Sequence, residues 1–526
     1  MEKTRKNEIN KTFTVPLASV ETKDNVNSPN IKSSKSSKKE IINLAIKLHL
    51  QGNISEAQKY YTYCINQGFD DPRVFSNYGI ILKDLGKLKT AEIVTRKAIE
   101  LNPNFAEAHS NLGIILKDFG KLEEAKSSLS KAIKLKPNYI NAHYNLGIIL
   151  SDLGKLKEAE ISTKKAIDLN PTLANAHSNL AIILKDQGQL KEAEISARKA
   201  IKLNPNFAEA HSNLGSILKE YGQLAEALAS AQKAVELKPK NQSIKINLIN
   251  MLTIYTPKHL NSNPLYLINE EFKCIDLYRK ENDLITDIEA VKIYQDGLEI
   301  YKKYNLDLET SLSQIYKRSE INLNCKRHMN IFDTKKIIPE YCFGCYKVQV
   351  EADSIIELIK LFIVFNSLKL KNANTRKCMV ELRAKIPGFY KGLIYCFDLN
   401  EALEVSKQVN HQIQKNIKIG SISKVKRGCS EYPLEFPKYK EINTSGEQPM
   451  NYEKKWKSIE ETFDKEHPDW GTSNKSIEGF SLNHFLIMRN WIAYAQKIED
   501  ESVNKVTRER IKGPQKLNYL NRKLNP

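Results

Sequence analysis

The stretch Asn-Leu-Gly-Ile-Ile-Leu-Lys-Asp at residues 111–118 recurs along the chain with few changes. Its copies keep one register, and each begins 34 residues after the previous one. A fixed period of this length is typical of stacked repeat architectures. The copies begin at Asn43, Asn77, Asn111, Asn145, Asn179, Asn213 and Asn247. Glycine follows at 52, 86, 120, 154, 188 and 222, alanine at 57, 91, 125, 159, 193 and 227, and proline at 103, 137, 171, 205 and 239.

Each of these columns has a physical reason. Small residues recur where two helices approach closely, and the glycine permits a tight turn with positive φ between them. The proline ends the second helix, because it has no backbone N–H to continue the helix. The unit is therefore a helix–turn–helix pair. One pair cannot bury its apolar face alone, so the pattern predicts an α-solenoid.

The period and the Gly, Ala and Pro columns resemble the tetratricopeptide repeat (TPR) family over about two fifths of the chain. The resemblance implies a right-handed superhelix that binds protein segments in its concave groove. One departure is a histidine column where the family often has a bulky aromatic residue. We interpret these histidines as packing residues rather than metal ligands: His109, His143, His177 and His211.

The asparagine column lies in the first helix of each repeat, which lines the concave wall in this family. An Asn side chain has two donors and one acceptor, which suit the backbone of an extended peptide. The array resembles the repeats of the protein O-GlcNAc transferases, which have Asn at the matching column. The alternative is that each Asn bridges neighbouring helices. The predicted peptide-binding residues are Asn77, Asn111, Asn145, Asn179, Asn213, Asn247, Lys117, Lys185 and Lys219.

The chain of 526 residues has a formal net charge of +19 and is 41% hydrophobic. The charge permits binding to nucleic acid, acidic proteins or anionic lipid. We do not expect nucleic acid as the partner, because composition alone accounts for the charge. No stretch has the length and apolarity of a membrane span or a signal peptide. Eight cysteines without an export signal indicate a reducing compartment, so the sequence predicts a cytoplasmic protein.

The chain divides by pattern into five predicted segments. Residues 1–38 are polar, basic and low in complexity, which predicts a disordered tail. Residues 39–255 form the solenoid, with about six repeats and a capping helix. Residues 256–324 lose the register but keep helical periodicity, which predicts a helical linker. Residues 325–440 are an α+β domain, and residues 441–526 are a helical and basic extension.

The α+β domain alternates strand and helix patterns in the order β-α-β-β-α-β, which predicts a ferredoxin-like fold. Its sheet face with Lys347, Gln349 and Glu351 has no aromatic residue for stacking, so we do not expect RNA recognition there. The predicted strands cover 346–350, 377–384, 391–397 and 422–429, and the predicted helices cover 354–368 and 400–417.

Two ligand pairs precede the first strand of this domain, Cys325-x2-His328 and Cys342-x2-Cys345. In the predicted topology the last strand ends near the start of the first, which brings Cys429 close to them. Pairs of this spacing suit a tetrahedral ion. Zn²⁺ would take four of these five residues, and an iron–sulfur cluster would take the thiolates. The alternative is that Cys342 and Cys345 are packing residues and His328 lies on the surface.

The sequence therefore predicts a scaffold whose repeats bind a protein or peptide and carry no catalysis. The alternative is a C-terminal metal-binding or redox module with a catalytic or regulatory role on the recruited partner. A glycosyltransferase is disfavoured, because the remaining residues lack the alternating pattern and glycine-rich turns of nucleotide-binding halves. No phosphate-cradling glycine loop and no Gly-x-Ser-x-Gly elbow is present either.

Overall fold

The computed structural model describes residues 37–257, 263–277, 284–319, 321–383, 386–417, 420 and 422–511. Almost all of the predicted tail therefore lies outside the described residues. The chain forms two compact units, Met1–Asn179 and Leu180–Pro526. The division falls inside the repeats, so the five segments expected from the sequence stay predictions.

The first unit consists of helices that pair in sequence. The first helix begins at a capping box, in which Ser37 and Glu40 bond each other's backbone N–H. Asp71 caps a helix that has Pro72 in its first turn. The helices are α1 (Lys38–Leu50), α2 (Ile54–Asn66), α3 (Pro72–Asp84), α4 (Leu88–Leu101), α5 (Ala106–Asp118), α6 (Leu122–Leu135), α7 (Ile140–Asp152), α8 (Leu156–Leu169) and the start of α9 (Ala174–Asp186).

The two helices of a repeat approach so closely that only a small residue fits between them. A Cβ atom added at Gly113 would lie 2.6 Å from Cγ of Leu129, and one added at Gly147 would lie 2.2 Å from Oγ1 of Thr163. Gly154 has φ +73°, as expected for the turn between paired helices. The repeated sequence columns therefore fix both the crossing and the turn of each pair.

The histidine column ties each first helix to the loop before it. The ring Nε2 of His109 bonds the backbone oxygen of Pro103 at 2.9 Å, and that of His143 bonds Pro137 at 2.8 Å. The same bond joins His177 to Pro171 and His211 to Pro205, at 3.0 Å each. Each histidine thus satisfies a backbone oxygen in a loop that follows a helix end.

The second unit continues with helices in the same pattern and then departs from it. Residues 256–324, expected to form a helical linker, contain two helices, and the short β-strand at residues 314–317 was not predicted. The helices are the end of α9, α10 (Leu190–Leu203), α11 (Ala208–Glu220), α12 (Leu224–Leu237), α13 (Gln242–Met251), α14 (Pro264–Lys273) and α15 (Asp287–Lys303).

A five-stranded sheet lies in the second unit, and all its described pairings are antiparallel. The strand order is β1-β3-β4-β2-β5, where β1 pairs with β3 at the edge. The strands are β1 (Gln314–Lys317), β2 (Tyr346–Ala352), β3 (Arg376–Val380), β4 (Tyr390–Cys396) and β5 (Lys424–Arg427). The remaining helices are α16 (Cys325–Lys335), α17 (Glu340–Gly344), α18 (Ile355–Ser367), α19 (Leu399–Asn416), α20 (Lys457–Glu466), α21 (Leu482–Lys497) and α22 (Val503–Val506).

One face of the sheet packs against α18 and α19. Val348, Val350 and Ile394 point into this core and are fully buried. Because side chains alternate along a strand, Lys347 and Gln349 lie on the opposite face. They are also buried there, at 7% and 6% exposure. Tyr395 is the strand partner of Lys347 and lies on the same face, so the expectation that this face has no aromatic residue was wrong.

Helix α21 is a central element of the second unit. It contacts α13, α14, α15, α18 and two strands of the sheet. Trp491 is fully buried in it, and its Nε1 donates to the backbone oxygen of Ser313 at 2.8 Å. At the coarse level, the expected helical repeats followed by a region with a small sheet are confirmed.

Candidate functional site

The asparagine column lies on helices that contact one another, since α3 contacts α5 and α5 contacts α7. In the first unit, Nδ2 of Asn111 donates to Oγ of Ser76 at 2.9 Å. Nδ2 of Asn179 donates to Oγ1 of Thr163 at 3.2 Å. These bonds join helices of the stack, as in the alternative considered from the sequence.

The second unit repeats this arrangement, because Nδ2 of Asn247 donates to Oγ of Ser212 at 2.7 Å. Each bond engages one donor of an amide that also has a second N–H and an acceptor oxygen. Asn77, Asn145 and Asn213 are half-buried. The Asn145 side chain forms no hydrogen bond with the described part of the chain. Peptide binding by this column stays a prediction.

The predicted lysines fall into two groups. Lys117 is half-buried on α5 of the first unit. In the second unit, the backbone oxygen of Lys185 accepts from Nζ of Lys326 at 2.9 Å, and that of Lys219 accepts from Nδ2 of Asn474 at 2.9 Å. Burial lowers the pKa of Lys219, and Arg318 lowers it further. The side chains of Lys185 and Lys219 are half-buried. Peptide binding by these lysines stays a prediction.

Residues 469–477, which we call the C-terminal segment, run along the C-terminal ends of the first helices of successive repeats in the second unit. Its backbone N–H groups donate to backbone oxygens at the ends of these first helices: Asp469 to Gly188 at 3.0 Å, Thr472 to Glu220 at 2.8 Å and Ile477 to Thr253 at 2.8 Å. The bonds are made to the main chain, so they do not depend on the side chains of the repeats.

The predicted metal ligands do not form a ligand set. Within the described residues, which include all five candidates, no group of three or more His, Cys, Asp and Glu side chains is arranged to hold a metal ion. The ring of His328 stacks on Tyr341, with centroids 5.1 Å apart. Burial lowers the pKa of His328 to about 4. The expected surface position of His328 in the alternative is also wrong, because its exposure is 4%.

The cysteines are nevertheless close together, as the topology predicted. Cys429 forms a side-chain hydrogen bond with Cys342, which lowers the pKa of Cys429 and raises that of Cys342. The backbone N–H of Gly428 donates to the backbone oxygen of Cys345 at 2.9 Å. Sγ of Cys342 lies 3.3 Å from the hydroxyl of Tyr432. The thiols pack among buried tyrosines, which fits the packing alternative for Cys342 and Cys345.

A cavity of about 650 Å³ lies on the sheet face opposite α18 and α19. Its floor is formed by side chains of four strands, and residues 321–326, 428–431 and 472–473 form its walls. The floor includes Tyr316, Lys347, Lys377, Leu393 and Tyr395. This volume is in the range that proteins use for small-molecule ligands.

The carboxylates that line this cavity are already bound by cations. Glu381 accepts from Nε of Arg383 at 2.9 Å and from Nζ of Lys391 at 3.2 Å. Glu431 accepts from Nη1 of Arg383 at 2.7 Å. By contrast, Nζ of Lys347 donates to the backbone oxygen of Gly428 at 3.0 Å. Burial lowers the pKa of Lys347 below that of an ordinary lysine.

Lys377 is the cavity lysine that reasoning from the sequence missed. Its Nζ donates to Oε1 of Gln314 at 3.2 Å and lies 5.4 Å and 5.7 Å from the rings of Tyr316 and Tyr395. The alternation of β3 carries the signal, since Cys378 points into the core and Lys377 must point the other way. Tyr316 had no such signal, because its four-residue strand was not recognised.

Models of the tetratricopeptide repeat family match the chain over consecutive stretches. The matched residues are 72–105, 94–127, 115–154, 140–173, 174–207 and 197–229. Residues 72–229 consist of tetratricopeptide repeats. The TPR assignment made from the periodicity is confirmed over this range.

Several solved structures are similar to part of the chain, and two of them are titled TPR proteins. A thermophilic TPR protein from Thermus thermophilus is 24% identical with a TM-score of 0.32, over 34% of this chain and 98% of that one. YrrB, titled a TPR protein with an unusual peptide-binding site, is 24% identical with a TM-score of 0.29, over 35% and 96%. MamA from Desulfovibrio magneticus RS-1 is 24% identical with a TM-score of 0.29, over 32% and 96%. A comparison with curated proteins gave no match.

A search for membrane spans gave no candidate. In the part of the chain that the structure describes, each helix is too short or too polar to cross a lipid bilayer.

Proposed function

We propose that this protein is an interaction scaffold whose TPR repeats bind an extended segment of a partner protein. The observation that carries the proposal is the repeat array itself, because stacked helix pairs of this family generally serve protein binding. The repeats have no catalytic role in this proposal. The partner contacts the polar column of the first unit: Asn77, Asn111, Asn145, Asn179 and Lys117.

The proposed peptide-binding surface includes fewer residues than the sequence predicted. The backbone oxygens of Lys185 and Lys219 already accept hydrogen bonds from Lys326 and Asn474 of the same chain. The partner surface is therefore assigned to the first unit, where α3, α5 and α7 contact in series. There, Asn145 offers its whole amide to a partner, whereas Asn111 already donates to Ser76.

The experiment is capture of partners by the full chain and by variants. Asn145→Ala removes an amide that bonds nothing else in the described residues, so loss of capture reports partner contact directly. Asn111→Ala also removes the bond to Ser76. Ser76→Ala is its matched control, since it breaks the same bond but leaves the amide in place. Unchanged capture by the triple variant Asn111→Ala, Asn145→Ala, Asn179→Ala would refute the proposal.

Three more specific descriptions belong to the same proposal. The ferredoxin-like description is supported by the order β5-β2-β4-β3, in which two crossing helices separate the strands. The likeness of the repeats to O-GlcNAc transferase arrays is supported by the Asn column alone. We propose a cytoplasmic location on the cysteine content. Spectroscopic assignment of the strand pairings tests the ferredoxin-like description. Cell fractionation tests the cytoplasmic location.

A further inference from the structure

We propose that the cavity on the sheet face opposite α18 and α19 binds a small organic anion, whose phosphate or carboxylate group is held by Lys347 and Lys377. The cavity is formed within the second unit, and the proposal does not depend on partner binding by the repeats. Its volume of about 650 Å³ admits a molecule of nucleotide or cofactor size.

The side chains around the cavity carry an excess of positive charge, which favours binding of an anion. Five cationic side chains line it, against two carboxylates. The carboxylates of Glu381 and Glu431 both accept from Arg383. Lys326 is held by Glu220 at 3.2 Å. Lys347 and Lys377 are left without an ion pair to any described carboxylate, and the cavity between them is positive.

Burial of the Lys347 ammonium group without an anionic partner costs free energy. Its side chain is 7% exposed, yet its partner is one neutral backbone oxygen at 3.0 Å. An ammonium group out of water loses several hydrogen bonds and strong hydration, and buried charges are normally paired. The burial lowers the pKa of Lys377 as well, and Arg383 adds repulsion. An anion between the two lysines would remove both penalties.

The other walls of the cavity suit an organic body rather than a bare inorganic ion. Tyr316 and Tyr395 flank Lys377, and Leu393 and Met379 add apolar surface. Mixed aromatic and apolar walls with a few polar groups are typical of small-molecule sites. The ligand class is therefore a phosphate or carboxylate attached to a planar or apolar group.

Pyridoxal 5′-phosphate is the direct probe, because it combines a phosphate, a planar ring and an aldehyde that forms an imine with a lysine amine and releases water. The full chain is treated with a small excess, reduced with borohydride and mapped by mass spectrometry. We expect Lys347 or Lys377 to be labelled at least tenfold more than the exposed Lys424 on β5. Labelling spread over surface lysines, with both cavity lysines unmodified, would overturn the proposal.

Competition then identifies the anionic group. Adenosine monophosphate and benzoate are added at matched ionic strength, and neutral adenosine serves as the control. Protection by the monophosphate alone assigns a phosphate, protection by benzoate alone a carboxylate, and protection by adenosine to the same extent would contradict an anion site. Lys377→Met and Lys347→Met should each weaken this protection at the remaining lysine at least tenfold, whereas Lys424→Met should leave it unchanged. The labelling of the unmutated chain stays decisive if a variant does not fold.

Discussion

The backbone N–H of Thr472 donates to the backbone oxygen of Glu220 at 2.8 Å, one repeat beyond the bond of 3.0 Å from Asp469 to Gly188. Three residues of extended chain rise about 10 Å, and packed helices are spaced about 8–10 Å apart. The C-terminal segment therefore meets one backbone acceptor per repeat in the second unit. The ends of the first helices thus present backbone oxygens that an extended segment of the same chain binds.

Gly188→Ala should destabilise the second unit more than a glycine change in another repeat. A Cβ atom at Gly188 would lie 2.9 Å from ring atoms of Trp470, which belongs to the C-terminal segment. Gly188 also has φ +77°, which costs an alanine about 1 kcal/mol. The expected loss is about 2–4 kcal/mol in the free energy of unfolding, measured by denaturant titration.

Gly154→Ala is the matched control for this change. Gly154 lies in the equivalent turn of the preceding repeat with φ +73°, and an added Cβ atom there would have no atom within 4 Å. It therefore reports the backbone strain without the clash. Equal losses for the two variants would mean that the contact between Trp470 and Gly188 adds nothing to stability.

The asparagine column should divide into bonded and unbonded positions. Asn247→Ala removes a bond of 2.7 Å to Ser212 and should cost about 1 kcal/mol. Asn145→Ala should change the free energy of unfolding by less than about 0.5 kcal/mol. Thermal unfolding of the two variants measures the difference, and a large loss for Asn145→Ala would indicate an unrecognised structural role.

The repeats were predictable because their signals are local and periodic. The glycine, alanine and proline columns act within one helix pair, so every repeat contains the same residues that determine its geometry. The bonds from the histidine rings to proline oxygens were not predicted, although both columns were visible. Which hydrogen bond a side chain makes depends on its rotamer and on the loop, and the spacing of residues does not specify either.

The candidate sites were less predictable because they depend on distant parts of the chain. The approach of Cys429 to Cys342 followed from strand order, and it was confirmed. The predicted metal ligands do not assemble into a site within the described residues, and the ring of His328 stacks on Tyr341 instead. The cavity needs a strand at residues 314–317, too short to be recognised from its period, to bring Tyr316 beside Lys377. The hydrogen bond from Asn474 to the backbone oxygen of Lys219 likewise joins residues far apart in sequence.

The purified chain should contain less than about a tenth of an equivalent of zinc or iron, since tight binding needs an assembled set of ligands. Elemental analysis of protein prepared without chelator measures this. Thiol titration of the same sample should give fast reaction at Cys274, which is exposed, and slow reaction at the buried Cys342 and Cys345. A stoichiometric metal that is released when Cys342 is changed to Ser would contradict this prediction.

The stability of the second unit should fall as the pH is lowered from about 6.5 to about 4, because of His484. Burial against Phe362 and Phe480 lowers the pKa of His484 from 6.5 to about 4. Below pH 6.5 the unfolded chain binds a proton at this residue that the folded chain does not, so stability present at neutral pH is lost as the pH falls toward 4. The full shift corresponds to about 3 kcal/mol.

His484→Leu keeps the apolar contacts and removes the titration, so its free energy of unfolding should vary less between pH 7 and pH 4 than that of the unmutated chain. The measurement is denaturant unfolding at several pH values and constant ionic strength. His411→Leu is the control, because it makes the same substitution at an exposed position on α19. If His484→Leu and the unmutated chain lose stability in parallel, the acid sensitivity arises from other groups.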